Sequence, residues 1–165
     1  MDSTLAEKVQ EIEKPKPQLY SLKTPYMEQG RVQLLVAETP NLKIHMKINA
    51  EVGENAVHTH LNEDHSFIVL EGEMTIYDDK GNTWIVKPYQ GILLPKGAYY
   101  RYHASGTGNM VMLRVSASVR DKPPADQAMR VRPDGKPLKG QSVENKNLPP
   151  IKMPGKFFAE SAGLD

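Results

Sequence analysis

The chain has 165 residues, a formal net charge of +1, 13 prolines, five histidines and no cysteine. That length fits one domain, and the near-neutral balance supplies no general field to hold nucleic acid or an anionic membrane. The missing cysteine excludes disulfides, zinc fingers, iron–sulfur clusters and thiol nucleophiles together, so a bound metal must rely on histidine, carboxylate or tyrosine. Hydrophobic residues at 39% and charged residues at 25% suit a globular chain rather than a disordered one. No apolar run approaches the roughly 18 residues of a membrane span. Residues 1–14 carry mixed charge without the apolar stretch of a signal peptide. A cytoplasmic protein without membrane or nucleic-acid partner is expected.

A short helix is predicted first. Thr4 precedes Glu7 by three residues, a capping-box spacing, and Leu5, Val9 and Ile12 recur at helical intervals. Pro15 and Pro17 end it, so residues 1–17 read as a helix and linker.

Residues 18–119 change character to short β-rich runs separated by turn signals. Runs are predicted over 32–37, 42–48, 58–70, 74–77, 83–86, 91–94, 98–103 and 110–119. Within 42–48, Leu42, Ile44, Met46 and Ile48 share one face and His45 takes the other, as a structural histidine. Asp78-Asp79-Lys80-Gly81-Asn82 and Ser105-Gly106-Thr107-Gly108-Asn109 read as turns. Seven or eight strands at roughly 8–12-residue spacing predict an all-β antiparallel barrel or sandwich.

Residues 120–165 hold seven of the thirteen prolines and show neither helix nor strand period. An extended arm is expected there. Ile151, Met153, Phe157 and Phe158 favour its lying on the barrel or on a neighbouring subunit over a solvated tail.

Three of the five histidines fall in one window: His58, His60 and His65. On a strand, residues i and i+2 face the same way, so His58 and His60 project together. His65 joins them if the chain turns between Leu61 and Asp64, which the polar Asn62-Glu63-Asp64 allows. Clustered imidazoles suit a transition-metal ion. Glu63 and Asp64 are candidate acceptors for an imidazole N–H, or solvated loop carboxylates.

This window resembles the first motif of the cupin superfamily, Gly-x5-His-x-His-x3,4-Glu-x6-Gly. Gly53 stands one residue short of the motif spacing, followed by His58, His60, His65 and Gly72. Pro95-Lys96-Gly97 matches the centre of the second motif, and the resemblance covers residues 55–114. It implies a cupin-type jelly roll of antiparallel strands and one divalent transition metal ion, Fe(II) favoured over Zn, Mn, Ni or Cu. The motif's glutamate falls on His65, its last histidine on Tyr100, its asparagine on Ala104 and its leading glycine of the second motif on Tyr89. The expected ligands are therefore His58, His60 and His65, with Tyr100, His103 or water completing the shell. Tyr100 and Tyr102 share a face by parity and are candidate catalytic groups. Phe67, Val69, Trp84 and Arg114 are candidate pocket residues. The resemblance implies an enzyme acting on a small molecule, most readily O2-dependent cleavage of an enolisable ketone, diketone or phenol. A lyase or isomerase without O2 and a non-catalytic binding cupin are the alternatives. A homodimer is expected.

Overall fold

The computed structural model describes residues 16–51, 53–118, 130–138 and 148–163. The helix predicted before Pro15 lies outside them, and residues 16 and 17, read as linker, are not helical. The strands are β1 (Thr24–Gln29), β2 (Arg31–Glu38), β3 (Leu42–Asn49), β4 (Gly53–His60), β5 (Glu63–Glu71), β6 (Met74–Tyr77), β7 (Thr83–Val86), β8 (Gly91–Leu94), β9 (Tyr100–Ala104), β10 (Met110–Ser118), β11 (Arg130–Val131) and β12 (Ile151–Phe158).

They form two five-stranded sheets, β2-β3-β10-β5-β8 and β11-β4-β9-β6-β7, and a two-stranded ribbon, β1-β12. Every pairing within them is antiparallel. Alternation builds the sheets. In β5, Glu63, His65, Phe67 and Val69 are buried while the residues between them are half-buried. The sheets pack face to face through Phe67, Val69, Met74, Ile76, Val86, Leu94, Tyr100, Tyr102, Met110 and Met112. Phe67 meets Tyr100 and Tyr102 edge to face at 5.6 and 5.5 Å. Among the described residues no ladder joins β7 to β8 or β2 to β11. The architecture is thus a sandwich with open edges, where a closed barrel was expected.

A second apolar layer lies on the outside of the first sheet. Met27, Met46, Ile48 and Val111 form it, with Leu22, Tyr26, Leu70 and Phe158 packed around them. The apolar face predicted for 42–48 is therefore the outer face of β3, covered by the ribbon. Lys47 and Asn49, on the other face, are buried inside the sandwich. Asn109 ties the ribbon down: its Oδ1 accepts from the Met27 N–H at 2.8 Å and its Nδ2 donates to the Met27 carbonyl at 2.9 Å.

β12 corrects the reading of 148–163 as an arm without strand period. It pairs with β1 of its own chain, Thr24 opposite Phe158. Both strands carry proline, which a two-stranded edge ribbon tolerates. β11 is likewise a strand, pairing Arg130 with His60.

Candidate metal centre

β4 and β5 bring the site together. The turn at Leu61-Asn62 reverses the chain, so β5 begins at Glu63 with that side chain on the same face as His65. The Pro95-Lys96-Gly97 turn braces the hairpin. Gly97 N–H donates to the His60 carbonyl at 2.9 Å, and Lys96 N–H donates to Asp64 Oδ1 at 2.8 Å. Asp64 therefore serves that turn and not the interior. Gly53 has no room for a side chain: a Cβ there would lie 2.2 Å from the Tyr102 carbonyl oxygen of β9.

Among the described residues, one group of side chains is able to hold a metal ion: His60, Glu63 and His65, with ligand atoms all within 4.8 Å of one another and all three residues buried. Glu63 Oε2 lies 2.8 Å from His65 Nε2 and 3.7 Å from His60 Nδ1. The His60 and His65 rings are 4.2 Å apart, edge to face. His60 Nδ1 is buried without a hydrogen-bond partner. An unpaired buried imidazole nitrogen facing a carboxylate is the donor set an ion fills. The residues present therefore fit a divalent transition ion.

His58 lies beside this group. Its ring is 5.3 Å from that of His60. Its Nδ1 is 2.9 Å from the Ala56 carbonyl, to which it donates, and its Nε2 is 3.3 Å from Glu54 Oε2. Glu54 and His58, four residues apart on β4, share a face and are both buried, with a register shift against β9 between them. Glu54 in turn meets Lys47 at 3.2 Å and Arg130 at 3.6 Å. Glu54 and Lys47 were the residues that strand patterning did not bring into the site, while Glu63, read as an imidazole acceptor or a solvated carboxylate, stands among the ligand atoms.

Electrostatics sort the interior by charge. Burial, together with His65 and Arg114, holds His60 far below the ordinary histidine range, and burial likewise lowers His65. Both imidazoles are thus neutral, the ligating form. Burial would raise Glu63, but His65 and Arg114 outweigh it and keep the carboxylate charged. Burial would raise Glu54 too, yet Lys47, His58 and Arg130 hold it well below its usual value. Burial pulls Lys47 down to about 8 despite Glu54.

Tyr100 and Tyr102 are buried on β9. Tyr100 OH is 3.4 Å from His65 Nδ1, a long contact. Burial, followed by the Glu54 charge, pushes both phenols well above 10. Tyr100 therefore keeps its proton and acts as a donor. Tyr102 lies under Lys47 Nζ, 5.0 Å from the ring centroid.

His103 is not part of the site. It points away from Tyr100 and Tyr102 and stacks on Tyr77 at 5.5 Å. Parity on β9 was not reversed by a bulge, since Met74 to Tyr77 run in unbroken register with Ala104 to Arg101. Arg114 is inside the site: Nη2 donates to Glu63 Oε2 at 3.1 Å.

A cavity of about 850 Å³ is lined by β7, β8 and Tyr100; His60, Glu63 and His65 are not among its lining residues. Ile76, Trp84, Val86, Ile92 and Leu94 line its apolar wall, and Asp78, Lys80 and Gln90 its rim. Trp84 stands opposite Ile76 in register, faces inward, and is 46% exposed at the mouth. Phe67 and Val69 are core residues and do not line this cavity.

A sandwich of two antiparallel five-stranded sheets with a buried histidine–carboxylate group defines a double-stranded β-helix protein. Residues 44–116 match the cupin domain family. Solved structures agree on the fold. A proposed mannose-6-phosphate isomerase from Ralstonia eutropha superposes with a TM-score of 0.55 at 17% identity, covering 62% of this chain and 100% of that one. A double-stranded β-helix protein from Klebsiella pneumoniae gives 0.53 at 19%, covering 65% and 95%. KdgF from a Halomonas species gives 0.50 at 18%, covering 56% and 82%. No curated protein matches this chain. Among the described residues no helix is long and apolar enough to cross a membrane.

Proposed function

We propose that this cupin is a metal-dependent enzyme whose reaction is the O2-dependent cleavage of a small enolisable ketone, diketone or phenol. One observation carries the reading. Tyr100, whose OH lies 3.4 Å from His65 Nδ1 of the buried His60–Glu63–His65 group, also lines an apolar-walled cavity of about 850 Å³. A shell of two imidazoles and a carboxylate suits one divalent transition ion, Fe(II) favoured, with Zn, Mn, Ni and Cu also compatible. His60, Glu63 and His65 would hold it. When bound, the ion supplies Lewis acidity toward a substrate oxygen.

The chain's own residues do the rest. The wall of Ile76, Trp84, Val86, Ile92 and Leu94 accepts a flat apolar body and excludes water. A polyol set against that wall would leave its hydroxyls unpaired, a penalty of about 1–3 kcal/mol each. The Tyr100 phenol donates a hydrogen bond to a substrate oxygen at the inner end of the cavity. Glu63 and Arg114 fix the orientation of the His65 ring.

A second reading is a lyase or isomerase that works without O2. The protonated state of Tyr100 favours it, because a buried phenol beside the centre is placed as a general acid. Metal analysis of purified wild type and His60→Ala, followed by O2-uptake assays with phenols and diketones, separates the readings. Iron with O2 uptake supports the first. Anaerobic turnover of a substrate by the zinc form selects the second. Wild type without stoichiometric metal, or His60→Ala holding as much, overturns both.

A further inference from the structure

Among the described residues, Arg114 is the one cation that touches the candidate ligand atoms themselves. Its Nη2 lies 3.1 Å from Glu63 Oε2 and 2.8 Å from His65 Nε2. It comes from β10, in register with Phe67 of β5, and is buried. The His65 ring is tied on its other side to Tyr100. An imidazole nitrogen able to ligate a metal has one lone pair. In that tautomer the lone pair of His65 Nε2 is already taken by the Arg114 N–H. Glu63 Oε2 accepts from the same Arg114 Nη2 at 3.1 Å and lies 3.7 Å from His60 Nδ1, and with His65 Nε2 unprotonated it relies on Arg114 for its proton donor.

We propose that the Arg114 guanidinium and a divalent metal ion compete for the same atoms, His65 Nε2 and Glu63 Oε2. Arg114 then sets the metal affinity of the centre and leaves His65 when the ion binds. This inference rests on the metal-centre reading above and adds a built-in competitor to it. Two features make the exchange physically coherent. The guanidinium neutralises Glu63 when no dication does, so the carboxylate never stands buried and unpaired. Arg114 Nε has no hydrogen-bond partner, so the side chain is held at one end only. The released guanidinium remains inside the sandwich, where a planar donor fork suits a carboxylate or enolate. It is thereby a positioning group for the ion and a candidate anion anchor in the loaded state.

The test measures zinc affinity by chelator competition on the full chain, for wild type, Arg114→Met and Arg114→Lys. Competition predicts that Arg114→Met binds zinc about ten-fold or more tightly than wild type. Arg114→Lys, which keeps the charge but cannot bridge both atoms, falls between the two. Wild type that binds nothing while Arg114→Met binds one equivalent supports the competition and sinks the metal-enzyme reading for the native chain. Unchanged or weaker binding by a folded Arg114→Met overturns the competition and leaves the metal centre standing, with His65 ligating through Nδ1. Arg114→Lys matching wild type beside a tight Arg114→Met also overturns it, since charge alone would then explain the gain. Should Arg114→Met fail to fold, ¹⁵N NMR of wild type decides: an Arg114 guanidinium that stays on His65 after one equivalent of zinc refutes the exchange, and one that moves supports it.

Discussion

Glu63 and His65 face the same interior from one strand, two residues apart, with Glu63 Oε2 2.8 Å from His65 Nε2. The carboxylate serves two neighbours at once, His65 and Arg114. Glu63→Gln should therefore lower zinc affinity by about 10–100-fold. It should also destabilise the fold by roughly 3 kcal/mol, because Arg114 loses its buried counter-charge. Chelator competition and urea unfolding read the two effects separately. Unchanged zinc affinity in the variant would remove Glu63 from the ligand group.

The phenol of Tyr100 is held well above its ordinary pKa by burial and by Glu54. A protonated phenol is no phenolate ligand. The iron(III)-loaded protein should accordingly lack a tyrosinate charge-transfer band from this residue, and Tyr100→Phe should leave the visible spectrum unchanged. Its turnover should drop by about 10²-fold or more if the phenol acts as a general acid. A visible band that disappears with Tyr100→Phe would make Tyr100 a ligand instead.

Much of this arrangement was legible in the sequence. The β-rich runs, from 32–37 through 110–119, carried clear alternation or turn boundaries, and strands stand at them, with 58–70 divided by the bend at Leu61-Asn62 between β4 and β5. The close spacing of His58, His60 and His65 announced a cluster because strand parity acts locally. What escaped depends on contacts far apart in the chain. β1 and β12 are broken by Pro25, Pro154 and Gly155 and exist through pairing residue 24 with residue 158. Glu63 sits in a polar run that reads equally well as a turn. It becomes an interior group because the turn ends at Asn62 and not one residue later. Lys47 and Glu54 meet across two strands at a register shift that no periodicity encodes. The apolar face of 42–48 was visible as a face, but nothing local said that a ribbon would cover it from outside.

His45 shows how an interior histidine shapes acid stability. Burial, with Arg114 and Lys47 nearby, lowers it to about 4. The unfolded chain therefore takes up a proton first as pH falls from its ordinary 6.5. Stability should decline through the window from about 6.5 to 4 and level off below it. The ring is half-buried, so solvent reduces the contribution to about 1–2 kcal/mol. His45→Gln should flatten the wild-type slope by that amount in urea titrations at stepped pH. Equal slopes in the two proteins would assign the acid sensitivity to His60 and His65.

Tyr89 occupies the position where the family motif carries glycine, and it adopts φ +67°. Left-handed backbone costs a residue with a Cβ about 1–2 kcal/mol. The side chain is 88% exposed and offers no packing to offset that strain. Glycine at this site would remove the strain while giving back about 0.5–1 kcal/mol of unfolded-state entropy. The net expectation for Tyr89→Gly is a gain of roughly 0.5–1 kcal/mol, a rise in Tm of about 1–4 °C. The turn lies between β7 and β8, at the edge where the cavity opens. The same variant consequently reports on function: a stabilised protein with weakened substrate binding would show that the strained tyrosine is retained for the cavity mouth, whereas a stabilised protein with unaltered binding would show that it serves neither fold nor ligand.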